Sequence, residues 1–261
     1  MIIRLFATEC GRAICNRRFV ASILLMVLTE MFSSAWIFTN MGFGVDEILD
    51  NLFLGTGSAM VLLMLFPLLP YALSYAKDME EHALEFYMVR VDTVSFMAVR
   101  FAAVVLSAFL CVVISFTIYA VILLCMGHPL SVSVTGDIDT ARGYEEFLKS
   151  NTVLYLLCYG TDRGLSAAMM AACALFMSVV YPHSLFVFTS PVCIYFLSLR
   201  LVFPREVERL WLIPSSWMEE VYSSPSGGFA SLLCKVGVAA MICFIYGGLA
   251  LVLVKRRWHY A

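Results

Sequence analysis

Charge is what this sequence has least of: Asp, Glu, Lys and Arg make up 14% of its 261 residues, where soluble domains carry roughly a quarter. Hydrophobic residues make up 62%. A chain with so few ions cannot cover a water-facing surface, so the lipid bilayer is its expected solvent. Other absences exclude whole classes of function. The formal net charge is −2, and no run of Lys or Arg exceeds the three at Lys255, Arg256 and Arg257. Nucleic acid is therefore not an expected partner. No GxxxxGK[ST] phosphate loop and no HExxH pair occurs, so the chain lacks the means to hydrolyse ATP alone and lacks a protease-type zinc site. His82, His128, His183 and His259 stand apart, at no metal-ligand spacing, and no metal or cofactor is expected. The nine cysteines show no metal-like spacing either. Cys111, Cys125, Cys173, Cys193 and Cys243 lie in apolar runs and are read as small packing residues. Serines in those runs have no evident base, which disfavours an intramembrane enzyme.

What is present is a series of long stretches without ions. Residues 51–76, 101–136, 164–199 and 236–254 carry no charge, and residues 19–45 carry one, Glu30. A helix needs about 20 apolar residues to cross the hydrocarbon. The stretch 164–199 has Tyr181, Pro182 and His183 at its middle. Proline removes a helix donor and disfavours helix in the residue before it, so this stretch reads as two spans joined by a tight hairpin. Arg17 and Arg18 precede the first stretch and Lys255 to Arg257 follow the last. Basic flanks favour the cytoplasm, and both ends on one side require an even number of spans. The expectation is one all-α membrane domain over residues 1–261. Its six transmembrane helices fall near 19–40, 55–76, 98–126, 164–181, 184–203 and 232–254, with both termini cytoplasmic. Ten basic residues then lie inside and seven outside. The first apolar run is longer than a secretory core of roughly 7 to 15 residues, so it is expected to remain as a span.

Several segments between and within the spans carry candidate functional residues. In residues 1–16, Ile2, Ile3, Phe6, Cys10, Ala13 and Ile14 recur at helical spacing, with Arg4, Thr8 and Arg12 on another face. This pattern fits an interfacial helix, the alternative being a frayed polar tail, because Gly11 weakens the helix. Residues 77–100 read KDMEEHALEFYMVRVDTVSFMAVR. A single helix over 78–88 would gather Asp78, Glu81 and Glu85 on one face and Met79, Ala83, Phe86 and Tyr87 on another. It is suited to docking a cytoplasmic partner, the alternative being a solvated linker helix. The outer segment 127–163 contains Tyr144, Phe147 and Leu148 opposite Glu145, Glu146 and Lys149. The outer segment 204–231 holds Trp211, Pro214, Trp217, Pro225, Gly227 and Gly228, as a re-entrant pair of half-helices or a plain loop. Glu30, near the middle of the first span, is a candidate for the translocation path or for a hydrogen-bonded carboxyl between helices. Ala167, Ala168, Ala171, Ala172, Ala174 and Ser178 allow a close helix contact.

This layout resembles the type-2 ABC transporter permeases over the whole chain. The most specific part is the loop between the second and third spans. There Glu81, Ala83, Leu84, Glu85, Phe86, Val89, Val91, Ser95 and Arg100 look like the family's acidic coupling helix, the apolar run after it and the basic residue entering the third span; the terminal VLVKRRW looks like the family's ending. The resemblance implies the permease subunit of an ATP-driven exporter in a bacterial plasma membrane. It also implies two separate ATP-binding subunits below, so that ATP is held by the partner, and a second permease subunit, the same or a related chain. Asp78, Glu81, Glu85, Phe86 and Arg90 would couple to the ATPase. A membrane scaffold or sensor subunit shares the same gross features.

Overall fold

The structure, a computed structural model, describes residues 2–35, 44–50, 57–129, 147, 151–200 and 228–259. Every regular element among them is helical. Helix α1 (Ile2–Ile14) forms despite Gly11, buries Glu9 and Ala13, and turns Ile2, Ile3 and Phe6 outward. Asn16 caps α2 (Arg17–Ser33), its side-chain oxygen accepting from the Arg18 amide at 3.2 Å. A short α3 (Val45–Asp50) and α4 (Gly57–Leu65) follow.

The second span was expected as one helix over 55–76, and the chain breaks it instead. Helix α4 passes into a 3-10 turn (Phe66–Leu68) that opens on Pro67, and α5 (Ser74–Glu80) starts only after Pro70. Two prolines three residues apart withdraw two amide donors, which a continuous helix cannot replace. The helix expected over 78–88 is likewise two helices. Helix α5 ends at Glu80, His82 takes a left-handed backbone with φ 56, and α6 (Ala83–Arg90) begins beyond it. Asp78 and Glu85 therefore do not share a helix face.

Helix α7 (Thr93–Cys125) is capped by Asp92, whose carboxylate accepts from the Ser95 amide. Helix α8 (Thr152–Val180) is capped by Asn151, accepting from Val153 and Leu154. It starts a dozen residues before the expected fourth span, so Asp162 and Arg163 lie inside a helix rather than in an outer loop. The hairpin stands where the sequence puts it: Tyr181 is extended, and α9 (Ser184–Arg200) starts after His183. Helix α10 (Gly228–His259) takes in Lys235, which was counted among the outer basic residues although it falls at the start of the expected sixth span. The outer segments at 130–146, 148–150 and 201–227 lie outside the described residues, with the amphipathic and re-entrant features expected there.

The helix directions follow from which residues meet. Ser22 and Ser34 of the α2 region meet Cys111 and Tyr119 of α7, both series rising, so α2 and α7 run parallel. Gly164 lies against Phe109, and Gly160 against Phe116, so α8 runs antiparallel to α7. A Cβ added at Gly164 would sit 2.7 Å from the Phe109 ring, so the close approach of these helices requires glycine there. Asp162 meets Lys235 and Phe176 meets Tyr246, so α8 and α10 are parallel. At one end of the bundle Ala13, Leu84, Met97, Val179, Val187 and Val254 share an apolar cluster. At the other, Ile48 and Leu49 pack with Tyr119, Leu123 and Tyr159.

Among the described residues, three helices are long and apolar enough to cross a membrane: Thr93–Cys125, Thr152–Val180 and Phe229–Arg257. The described parts of α2 and α9 have 17 residues each, about 25 Å of helix against roughly 30 Å of hydrocarbon. Of the apolar window in α8, 72% is buried, against 11% in α10. Helix α8 is thus the axis of the bundle, and α10 presents its apolar surface outward.

Candidate functional site

Two groups of buried charges stand out, one at the end where α1, α5 and α7 meet and one within the apolar bundle. The first begins with Arg100, fully buried two turns into α7. A guanidinium there needs anions, and two elements supply them. Asp78 of α5 accepts from Arg100 Nη2, and Glu9 of α1 accepts from Arg100 Nε at 3.4 Å. Arg12 reaches the same two acids, Glu9 Oε1 at 3.0 Å and Asp78 Oδ1 at 3.5 Å. The Tyr71 hydroxyl donates to Glu9. The Phe96 ring lies 4.5 Å below the Arg100 guanidinium, in cation–π contact, and stacks on Tyr87. Two acids and two bases thus form a neutral set that ties α1 and α5 to α7.

Burial by itself would lower the Arg12 pKa, but the polar surroundings, Glu9 and Asp78 as anions among them, outweigh it and raise the value, so this arginine holds its proton firmly. The Cys10 thiol is pushed up by burial and then by Glu9. That fits an inert packing cysteine rather than a nucleophile.

The second group lies between α2, α4, α7 and α8. Glu30 is 3% exposed, and its Oε2 has no hydrogen-bond partner among the described residues. It lines a partly open space of about 70 Å3 together with Arg163, Phe116, Met26, Met64 and Met170. Arg163 donates to the Tyr159 hydroxyl and to the Leu49 carbonyl at 3.4 Å, and its guanidinium lies 4.4 Å over the Tyr159 ring. One turn higher, the Ser34 hydroxyl bonds to Tyr119. On the far side of α8, Asp162 and Lys235, both fully buried, pair at 3.2 Å.

The residues expected at an ATPase-docking face are separated by the fold. Asp78 is buried and engaged by Arg100 and Arg12, whereas Glu81 is exposed and Phe86 is 71% exposed on α6. Glu85 and Arg90 belong to α6, but their side chains lie outside the described residues. Glu30 lines a cavity within the bundle. Sequence reasoning did not join Glu9, Arg12 and Arg100 to Asp78. The available signal was Glu9 four residues before Ala13, which puts an acid on the buried stripe of α1. Arg163 was expected in an outer loop and Lys235 among the outer charges, because an ion-free stretch ends at the first ion, paired or not.

Fold and site together define a helical protein with, among the described residues, three helices long and apolar enough to span a membrane and charged side chains buried within and at one end of the bundle. Comparison of the chain with protein-family models, curated proteins and solved structures finds no match.

Proposed function

We propose that this chain is the permease subunit of an ATP-driven exporter of the type-2 ABC kind, with the path formed by its spans and a second permease subunit. The observation that carries the reading is the mechanical link between an exposed docking element and the bundle. Helix α6 offers Phe86 and, at its entry, Glu81. Helix α5, joined to it by one turn, is fixed to α7 and α1 through Asp78, Arg100, Glu9 and Arg12. Closure of an ATPase pair beneath α6 would then displace α1 and α7 rather than dissipate in a loop, biasing the spans between two arrangements. Asp78 becomes the anchor of that lever, and Glu81, Glu85, Phe86 and Arg90 its contact face.

In this reading the three long helices are joined by α2, by α4 with its 3-10 turn, and by α9 to make six spans, with both termini cytoplasmic. The meeting of the α1, α6 and α7 residues with the ends of α8 and α10 in one cluster supports it. Arg163 and Lys235, buried in helices, leave the outer tally of basic residues, which sharpens the inside bias. Glu30 and Arg163, facing one cavity within the bundle, support a polar element of the translocation path.

The test is co-purification. Changing Glu81, Glu85 and Phe86 together to alanine is expected to weaken capture of an ATP-binding subunit by about thirtyfold, the usual weight of a buried aromatic anchor. Full capture by the triple variant would sink the assignment. A substrate-dependent rise in ATPase activity separates an exporter from a scaffold. Glu30→Gln is expected to abolish most of that rise while the complex still assembles, and an unchanged rise would reduce Glu30 to a packing carboxyl.

A further inference from the structure

Beside the ion network an open cavity of about 610 Å3 lies between the end of α1, the start of α2 and α5. Arg17, Arg18 and Lys77 line it, and none of the three has an ion-pair partner among the described residues. Ser74 lines it too; this side chain is 9% exposed, and its Oγ has no hydrogen-bond partner among the described residues. A buried hydroxyl without a partner costs free energy, and here it borders a space bounded by free cations. Arg17 and Arg18 also open α2, whose N-terminal end adds positive potential. The lining includes Arg12 and two carboxylates, Asp78 and Glu81. Asp78 is already neutralised by Arg100 and Arg12, and four cations against two acids leave the cavity positive.

We propose that this cavity binds a phosphate group, namely the headgroup phosphate of an anionic phospholipid. Phosphate offers several acceptor oxygens for guanidinium forks, an ammonium and a hydroxyl at once. Lipid is the source because of where the cavity lies. The apolar helix α2 starts at its floor, and α1 beside it exposes Ile2, Ile3 and Phe6 on a continuous apolar face, the pattern of a helix lying in the headgroup layer. Each cation near such a surface attracts anionic lipid. The bound headgroup would join α1, α2 and α5, the elements next to the ion network. The inference needs the membrane but not the transporter reading, because binding is measured on this chain alone; failure of one leaves the other standing.

The experiment uses the full chain in neutral detergent, with dioctanoyl phosphatidylglycerol, dioctanoyl phosphatidylcholine and inorganic phosphate as probes, read by native mass spectrometry and by the shift in unfolding temperature. Phosphatidylglycerol is expected to bind saturably and raise the unfolding temperature. Arg17→Gln/Arg18→Gln/Lys77→Gln is expected to weaken binding at least about tenfold, and Ser74→Ala to weaken it less. Arg17 and Arg18 are exposed, so the double variant Arg17→Gln/Arg18→Gln tests the site without risk to folding. Arg4→Gln, exposed on α1 and outside the cavity, should bind like the parent. Inorganic phosphate binding as tightly as the lipid would overturn the lipid source. Equal binding of phosphatidylcholine, or undiminished binding by the double and triple variants, would overturn the site.

Discussion

Arg100→Met is expected to destabilise the protein by about 3 kcal/mol, the lower end of the cost of stripping one partner from a buried ion set. The loss arises because Glu9 and Asp78 stay buried while their fully enclosed counter-ion is gone. It sits at the lower end because Arg12, whose side chain is 38% exposed, still reaches both acids. Tyr71 also still donates to Glu9. The measurement is the unfolding free energy of detergent-solubilised protein by denaturant titration, with a size-exclusion profile to confirm a single folded species. The variant Glu9→Gln/Asp78→Asn/Arg100→Met should recover most of the loss, since the three buried ions give way to neutral groups of similar shape and the remaining cation, Arg12, has a side chain 38% exposed. A single variant as stable as the parent would mean that the network does not brace α1 and α5 against α7.

Lys235→Met should cost more, about 3–5 kcal/mol. Asp162 and Lys235 are both fully buried, one on α8 and one on α10. Arg163 is no substitute for the lost lysine, because adjacent residues on a helix do not face each other. Methionine nearly matches the volume of lysine, so the loss reports charge rather than a cavity. The double variant Asp162→Asn/Lys235→Met is expected to return to within about 1 kcal/mol of the parent. A double variant as unstable as the single one would show that the pair matters through the other contacts of these side chains. Helix α10 has an apolar window only 11% buried, so this pair is a principal polar tie between α10 and the axis of the bundle. Its loss should also raise the proteolytic sensitivity of that helix.

The apolar character, the helical class and the turn at Pro182 were legible from residue type and spacing, because they depend on local chemistry: too few ions for a soluble surface, and a proline that withdraws a donor. The helical spacing of α1 was legible for the same reason, whereas Gly11 argued for a frayed tail and the helix runs through it. The break at Pro67 and Pro70 was equally local, yet it is hidden inside a charge-free window when only charge is counted.

Pairing across the fold was not legible. Asp78 reads as one of several acids on a loop, and nothing near it in sequence announces that Arg100 and Arg12 will claim it. Asp162 and Arg163 read as loop residues, and Lys235 as a charge at the outer boundary of a span, because isolated ions are costly in lipid. That cost vanishes from view only when their partners are known. The same holds for Ser74 and the cations around it, which belong to different helices.

The sequence by itself determined that this chain is helical and that its long apolar helices are fit for a bilayer, because composition and periodicity are properties of the chain alone. Only the tertiary structure decided which charges face solvent and which are buried, because the free energy of a charge in an apolar bundle depends on a partner that sequence distance does not reveal.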